Sequence, residues 1–365
     1  MKNAIRLAAL TALAATVCTV TLAQDASIID KAPLDELWNN NGKVRLDAPD
    51  ATAHKGLKIA YYGFGQDNPW SQYMFEAVAA EAALYGAEAT FVGPPSFNAQ
   101  VEYQQISDAA ISMQYGGMVV VPIDGATVAP AIQQAVDAGI KVAAAGFVVG
   151  SDTMSDKLQV PGMVGQVTEN LRSNAEAMAD GVIASCKDVD PCKVHVIWGA
   201  RVLGFDKVKP DIFYAKIQPY PNIKLVCETD AGYTQDLGRT QAADCLQAHP
   251  DLNVIASQAD QMTRGAEASI TAAGRTFGLG ADDIKLVSAY ASTYGVAQVR
   301  DGKWVQTSYN RPQGMGRAAV RMILLALEGK TVPEYVAQED LDDLPLVLTK
   351  EVLDKNPKVL GQFAG

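Results

Sequence analysis

From Leu57 onward the chain alternates short apolar runs with amphipathic stretches of helical length. LKIAYY (57–62) precedes a helical pattern reaching Gly86; EATFVG (88–93) precedes one over about 98–114. GMVVVP (117–122) is followed by a helix over about 125–138, and then comes IKVAAAG (140–146). Strand-length apolar runs joined by amphipathic helices predict a parallel sheet covered on both faces. The second half repeats the theme with KVHVIWG (193–199), NIKLVC (222–227), LNVIASQ (252–258), IKLVSAY (284–290) and WVQTSYN (304–310). Helices are expected near 205–218, 235–248, 261–274 and 292–300, with a last one over 312–329 before the strand LPLVLT (344–349). The pattern predicts an α/β chain of two doubly wound, Rossmann-like lobes. Ligands of such sheets bind outside the carboxyl ends of the strands, which places a site in the cleft between the lobes.

The segment before Leu57 is different. Lys2 and Arg6 precede an apolar, Ala/Thr-rich run from Leu7 to Val20, and Thr21-Leu22-Ala23 resembles a cleavage site. The run is too short and too weakly apolar for a good membrane span, so residues 1–23 read as a signal peptide cleaved near Ala23, with a periplasmic product. Residues 24–55 form a polar leader without clear periodicity, expected to wrap the surface or stay partly disordered.

Loss of Lys2 and Arg6 moves the formal net charge from −11 to −13 (−11 minus two positive charges). So acidic a chain argues against nucleic acid or anionic lipid as a partner. Export permits disulfides among Cys186, Cys192, Cys227 and Cys245. Of the three possible pairings, position along the elements favours the local ones, Cys186–Cys192 and Cys227–Cys245. A four-cysteine metal site is disfavoured because no CxxC pair occurs. No metal or other cofactor is expected.

Catalytic patterns are weak. None of the three histidines, His54, His195 and His249, has a nucleophile at a recognisable spacing, and GxSxG, HExxH and P-loop patterns do not occur. Gly314-Met-Gly316-Arg-Ala-Ala has a GxGxxA spacing, but it lies late in the fold with no following strand bearing a ribose-binding acid. It reads better as a closely packed helix start. The chain is not expected to be an enzyme. Strand ends are more telling: Phe64, Trp70, Phe147, Trp198, Tyr233 and Tyr290 are six aromatics at ends expected to converge on one cleft. Flat rings can sandwich a sugar ring while Asn, Asp and Arg direct hydrogen bonds at hydroxyls. Asp124 and Asp260 each precede a helical run and have a plain alternative as helix N-caps; Pro69 suits a first helical position.

With these features in place, residues 57–349 resemble the ribose/galactose-type (type I) periplasmic binding proteins of sugar ABC importers. The resemblance rests on DNPW (67–70), VVVPID (119–124) with AVDAGIKV (135–142), LQAHPDLNVIASQADQM (246–262) and DLPLVLT (343–349). It implies two lobes joined by a three-segment hinge, closure over one ligand, and docking on a membrane permease. A monomer is expected. The lobe boundaries are drawn at 56–166 with 311–340, and 167–310 with 341–365. The resemblance places Phe64, Asn68, Trp70, Val121, Gly146, Phe147, Lys207, Tyr233, Ala259, Tyr290 and Asn310 facing the ligand. Asp260 and Arg311 are added as hydrogen-bonding candidates. The chain departs from the usual pattern of pentose and hexose binders at four places. Gly146-Phe147 stands for Asp-Arg, Ala259 for Asn, Tyr290 for Asp, and Lys207 for Arg. Losing these bidentate hydroxyl partners points to a small neutral solute with fewer hydroxyls, or a more apolar one. An alternative is a periplasmic sensor that reports its ligand to a membrane histidine kinase.

Overall fold

The computed structural model describes residues 42–364 apart from 67, 95 and 96. The signal peptide, its cleavage near Ala23 and the leader up to residue 41 lie outside the described residues. The first sheet contains β1 (Lys58–Tyr62), β2 (Glu88–Phe91), β3 (Gly117–Val120), β4 (Lys141–Gly146), β5 (Gly165–Thr168) and, from far downstream, β11 (Tyr335–Ala337). All pairs are parallel, in the order β11-β5-β4-β3-β1-β2. The second sheet has the order β12-β10-β9-β8-β6-β7. It is built from β6 (Cys192–Trp198), β7 (Ile223–Asp230), β8 (Val254–Ser257), β9 (Lys285–Val287), β10 (Gln306–Ser308) and β12 (Val347–Thr349). Only its edge strand β12 runs antiparallel, against β10.

Eleven helices are described: α1 (Pro69–Leu84), α2 (Ala99–Ser112), α3 (Gly125–Asp137), α4 (Leu171–Ser185), α5 (Gly204–Lys207), α6 (Lys209–Ile217), α7 (Gln235–Ala248), α8 (Asp260–Ala272), α9 (Thr293–Arg300), α10 (Pro312–Leu327) and α11 (Lys350–Lys355). No helix among the described residues is long and apolar enough to cross a membrane. The expected helix near 205–218 is broken into α5 and α6, where Pro210 begins a new helical start. Strands β5 and β11 escape the sequence pattern because they are short. β5 also carries the polar but fully buried Gln166 in GQVT.

The chain crosses between sheets three times: after β5, between β10 and α10, and between β11 and β12. β5 pairs with β4 through Thr168, so the first crossover begins two residues beyond the boundary drawn at 166. Arg311 ties the second crossover to the third. Its guanidinium donates to Asp342 at 2.7 Å through both Nε and Nη2, and to the Leu344 carbonyl at 2.6 Å. Residues 42–55 pack on the first lobe rather than standing apart. Leu46 is buried, its carbonyl accepts from Arg321 at 3.3 Å, and His54 meets Glu328 at 2.8 Å. Both disulfides form, Cys186–Cys192 and Cys227–Cys245.

Two buried titratable groups make stability depend on pH in opposite directions. Glu102 on α2 is fully buried and accepts from the Ile123 amide at 2.9 Å; desolvation pushes its carboxyl up to about 8. A folded value above the unfolded one stabilises at low pH, and that contribution is lost as pH rises from about 4.5 through about 8. His195 in β6 is driven down to about 4 by burial, so its contribution is lost as pH falls from about 6.5 towards 4. Glu102→Gln keeps the acceptor for Ile123 without the titration. It is expected to melt several degrees above the wild type at pH 8.5 and to lose most of that advantage at pH 5.5, an effect of roughly 2–4 kcal/mol. Equal melting temperatures of the two proteins across this range would show that Glu102 does not titrate there.

Candidate functional site

The carboxyl ends of both sheets open on one cavity of about 50 Å3. It is lined by Phe64, Asn68, Trp70, Phe97, Phe147, Phe205, Tyr233, Ala259, Gln261, Tyr290 and Phe363. The first wall starts from GFGQDNPW. Asn68 caps α1, its Oδ1 accepting from the Ser71 amide at 3.0 Å, and Pro69 opens the helix. The Ser71 hydroxyl accepts from the Phe64 amide at 2.9 Å, fixing the turn that sets Phe64 beside Trp70. Their rings stack at 5.5 Å between centroids. Phe147, following β4, lies 5.7 Å from Phe64 and 6.3 Å from Trp70. Gly146 has φ +81°, and a Cβ there would lie 3.0 Å from Trp70 Cη2. The indole therefore occupies the space in which a larger residue at 146 would sit.

From the second lobe, Phe205 stacks on Phe147 at 3.9 Å with 13° between planes. Tyr233 and Tyr290 meet edge to face at 6.3 Å. Both tyrosines hold left-handed backbone, φ 59° and 64°, which side chains rarely adopt; such strain persists where surrounding contacts enforce it.

Beneath these rings runs a buried polar network. Glu169, on the first crossover, accepts from Tyr290 OH at 2.8 Å, Lys209 Nζ at 3.2 Å and Asn310 Nδ2 at 3.3 Å. Lys209 also reaches Asp206 at 3.4 Å and donates to Tyr290 OH at 2.8 Å. Asp206 accepts from Tyr233 OH at 2.7 Å and from the Gln258 amide. Asn310 Oδ1 receives Trp70 Nε1 at 2.7 Å, which links the network to the first lobe. Desolvation pushes the Glu169 carboxyl up despite the neighbouring Lys209 charge, and raises both tyrosine hydroxyls well above their ordinary value.

Of the ten site residues expected from sequence, Phe64, Asn68, Trp70, Phe147, Tyr233 and Tyr290 line the cavity. Asn310 sits behind Trp70 and holds its indole. The other three lie elsewhere. Lys207 is exposed at the end of α5; the cation turned inward is Lys209, two residues on, because the break between α5 and α6 changes which residue faces the cleft. Asp260 is fully buried in the second-lobe core, accepting from Ser288, Ser292 and Thr307 at 2.7–2.8 Å, and burial raises it to about 6. It is not the α8 N-cap, which is Ala259, whereas Asp124 does cap α3 through Thr127. Arg311 is the crossover tie already described. Trp198 also fails to converge on the cleft: strand alternation turns it to the outer face of its sheet, where Nε1 donates to Glu228 at 3.0 Å.

The sequence reading missed Phe97, Phe205, Gln261 and Phe363. The first two follow β2 and β6, so the strand-end rule applied to every strand would have found them. Nothing local marks Phe363. Among the described residues no group of three or more His, Cys, Asp or Glu is arranged to hold a metal.

Two facing α/β lobes around an aromatic-walled interlobe cavity define the class of the molecule. Residues 59–331 match the family described as periplasmic binding protein domain, and the chain belongs to that family, a binding protein and not an enzyme. It is 21% identical to the ribose import binding protein of Bacillus subtilis over 278 residues, spanning 74% of this chain and 82% of that one. A 69-residue stretch is 38% identical to the D-apiose import binding protein of Actinobacillus succinogenes, covering 19% of this chain and 22% of that protein. Among solved structures, an ABC transporter solute-binding protein of Mycobacterium smegmatis with bound glycerol superposes with a TM-score of 0.68 at 25% identity, covering 85% and 99% of the two chains. The arabinose-transporter component of Shewanella sp. ANA-3, bound to L-arabinofuranose, has a TM-score of 0.70 at 19% identity, covering 82% and 94%.

Proposed function

We propose that this protein captures a small neutral sugar, polyol or sugar-like molecule between its lobes and delivers it to the permease of an ABC importer. The observation that carries this reading is the aromatic cavity at the carboxyl ends of both sheets, in a chain of the periplasmic binding protein family. Relatives named for the import of ribose and apiose, and folds holding glycerol and arabinofuranose, support that ligand class. The kinase-sensing alternative draws no support from these relatives.

In this reading Phe64, Trp70 and Phe147 offer ring faces to the C–H surfaces of the ligand. Asn68, whose oxygen is committed to the cap, contributes its amide N–H groups. Tyr233 and Tyr290 border the polar side, their hydroxyls already held by Asp206, Glu169 and Lys209. Few uncommitted hydrogen-bonding groups face the cavity, which suits a ligand with few hydroxyls to satisfy; an unmatched buried polar group costs about 1–3 kcal/mol. Because Phe147 and Phe205 are in van der Waals contact, a ligand inserts between them only if the lobes part by a further ring thickness, about 3.5 Å. Rotation about the three crossovers supplies that motion. Its reversal over the ligand is the signal a permease would read. A periplasmic location after cleavage near Ala23, and a monomeric state, complete the reading.

The test is a melting screen with D-ribose, L-arabinose, D-fucose, D-allose, D-tagatose and glycerol, followed by small-angle scattering. A bound solute at about 100 times its Kd should add about 2.7 kcal/mol and raise Tm by several degrees. No shift and no change in compactness with any of the six would defeat the proposal.

A further inference from the structure

The segment after α11, residues 356–364, returns to the cavity mouth and is held from both sides. The α9 residue Thr293 donates its amide to the Phe363 carbonyl at 2.8 Å, and its hydroxyl reaches the Phe363 and Gly361 carbonyls at 3.2 and 3.4 Å. From the first turn of α10, Gln313 donates its amide to Gln362 Oε1 at 3.1 Å and its side chain to the Gln362 carbonyl at 3.3 Å. Gln362 in turn donates to the hydroxyl of Tyr309, on the second crossover, at 3.3 Å. Gly361 lies so close to α9 that a Cβ there would fall 2.1 Å from the Ser292 carbonyl carbon. Helix α10 packs on α1 and on the first sheet, whereas α9 packs on the second. Three consecutive residues thus join the two lobes beside the cavity, and Phe363, 3% exposed, becomes part of its wall.

We infer that residues 361–363 form a strap across the closed lobes and that Phe363 is a specificity-determining residue of the ligand cavity. The inference rests on the ligand cavity proposed above. Parting the lobes draws Thr293 away from Gln313, so opening breaks the Gln313 bonds to Gln362 while Thr293 keeps Phe363 seated on the second lobe. Its ring adds an apolar surface to the cavity wall. It therefore favours a ligand that turns a C–H edge towards it and disfavours one that would bury a hydroxyl there unpaired.

Two measurements on the exported protein test this. With Cys18→Ser added, Phe363→Cys supplies the one thiol outside the disulfides, and Leu360→Cys, at a 41% exposed neighbour, is the control. The thiol at 363 should react with dithiobis(nitrobenzoate) at least tenfold more slowly than that at 360. Equal rates would overturn the strap whether or not any sugar binds. Calorimetric titration of L-arabinose, D-fucose and D-ribose then compares wild type with Phe363→Ala and the milder Phe363→Leu. An affinity at least tenfold lower for Phe363→Ala, with a smaller loss for Phe363→Leu, supports the role in specificity; unchanged affinity in both variants overturns it. If wild type binds none of the three, the sugar reading loses ground, while the thiol rates still decide whether Phe363 is seated in the cavity.

Discussion

Trp70→Ala is expected to weaken binding of any sugar identified in the melting screen about a hundredfold, while lowering the Tm of the unliganded protein by only a few degrees. Trp70 is partly buried where the two lobes' apolar clusters meet. Its ring stacks on Phe64, approaches Phe147 and covers Gly146, and its Nε1 donates to Asn310. An aromatic face contributes stacking beyond its buried area, and losing both the face and the indole donor is consistent with about 2.7 kcal/mol. Within the first lobe the same truncation removes packing at one edge, since the core side of α1 is built on Met74, Ala77, Val78 and Ala82. Trp70→Phe should fall between, keeping a face but leaving Asn310 Oδ1 without its donor. Titration calorimetry and thermal melts on the three proteins decide the matter. A Tm loss beyond about 10 °C would make Trp70 a core residue, and unchanged affinity would remove it from the site.

Lys209→Met should be the most destabilising single change in the polar floor of the cleft. Lys209 is 1% exposed and lies between Glu169 and Asp206, themselves buried at 1% and 0%. Removing the cation leaves two carboxylates without their counter-ion in a low-dielectric site, a loss of about 3–5 kcal/mol. Because breaking a buried pair costs far more than replacing it whole, Lys209→Met combined with Glu169→Gln should recover a substantial part of the lost stability. Single, double and wild-type proteins compared by denaturant unfolding give the coupling. If the single variant unfolds at the wild-type midpoint, the network is not supporting the cleft. The same floor fixes Tyr233 and Tyr290 through their hydroxyls, so the single variant should also bind more weakly.

The residues that differ from the common sugar-binder pattern acquire a reason from this geometry. Gly146 stands where Trp70 leaves little room for a side chain. At position 290, where the resemblance to sugar binders implies a carboxylate, Tyr290 turns its hydroxyl inward to Glu169 and Lys209. Buried polar groups are here largely held behind the aromatic wall, in the Glu169–Lys209–Asp206 network. That arrangement is what the proposed preference for a ligand poor in hydroxyls depends on.

Much of the fold is determined by local sequence. Apolar runs such as LKIAYY and GMVVVP can bury both faces only in the middle of a covered sheet, and the amphipathic stretches between them have helical length. Asn68 and Asp124 mark helix starts because their side chains cap orphan amides within three residues. Six of the ten expected site residues line the cavity because they follow strands, and parallel sheets gather the carboxyl ends of their strands on one edge. What only the tertiary structure decided is which way long side chains turn and which distant segments meet. One break between α5 and α6 exchanges Lys207 for Lys209. A strand's alternation sends Trp198 away from the cleft, and core hydroxyls draw Asp260 into the second lobe. Phe363 is held at the cavity by Thr293, and its neighbour Gln362 by Gln313, both tens of positions distant in sequence. Period and capping are local and survive in a one-dimensional reading. Partnership among buried charges, and closure of one lobe upon the other, arise from packing between segments far apart in the chain, and no local pattern encodes them.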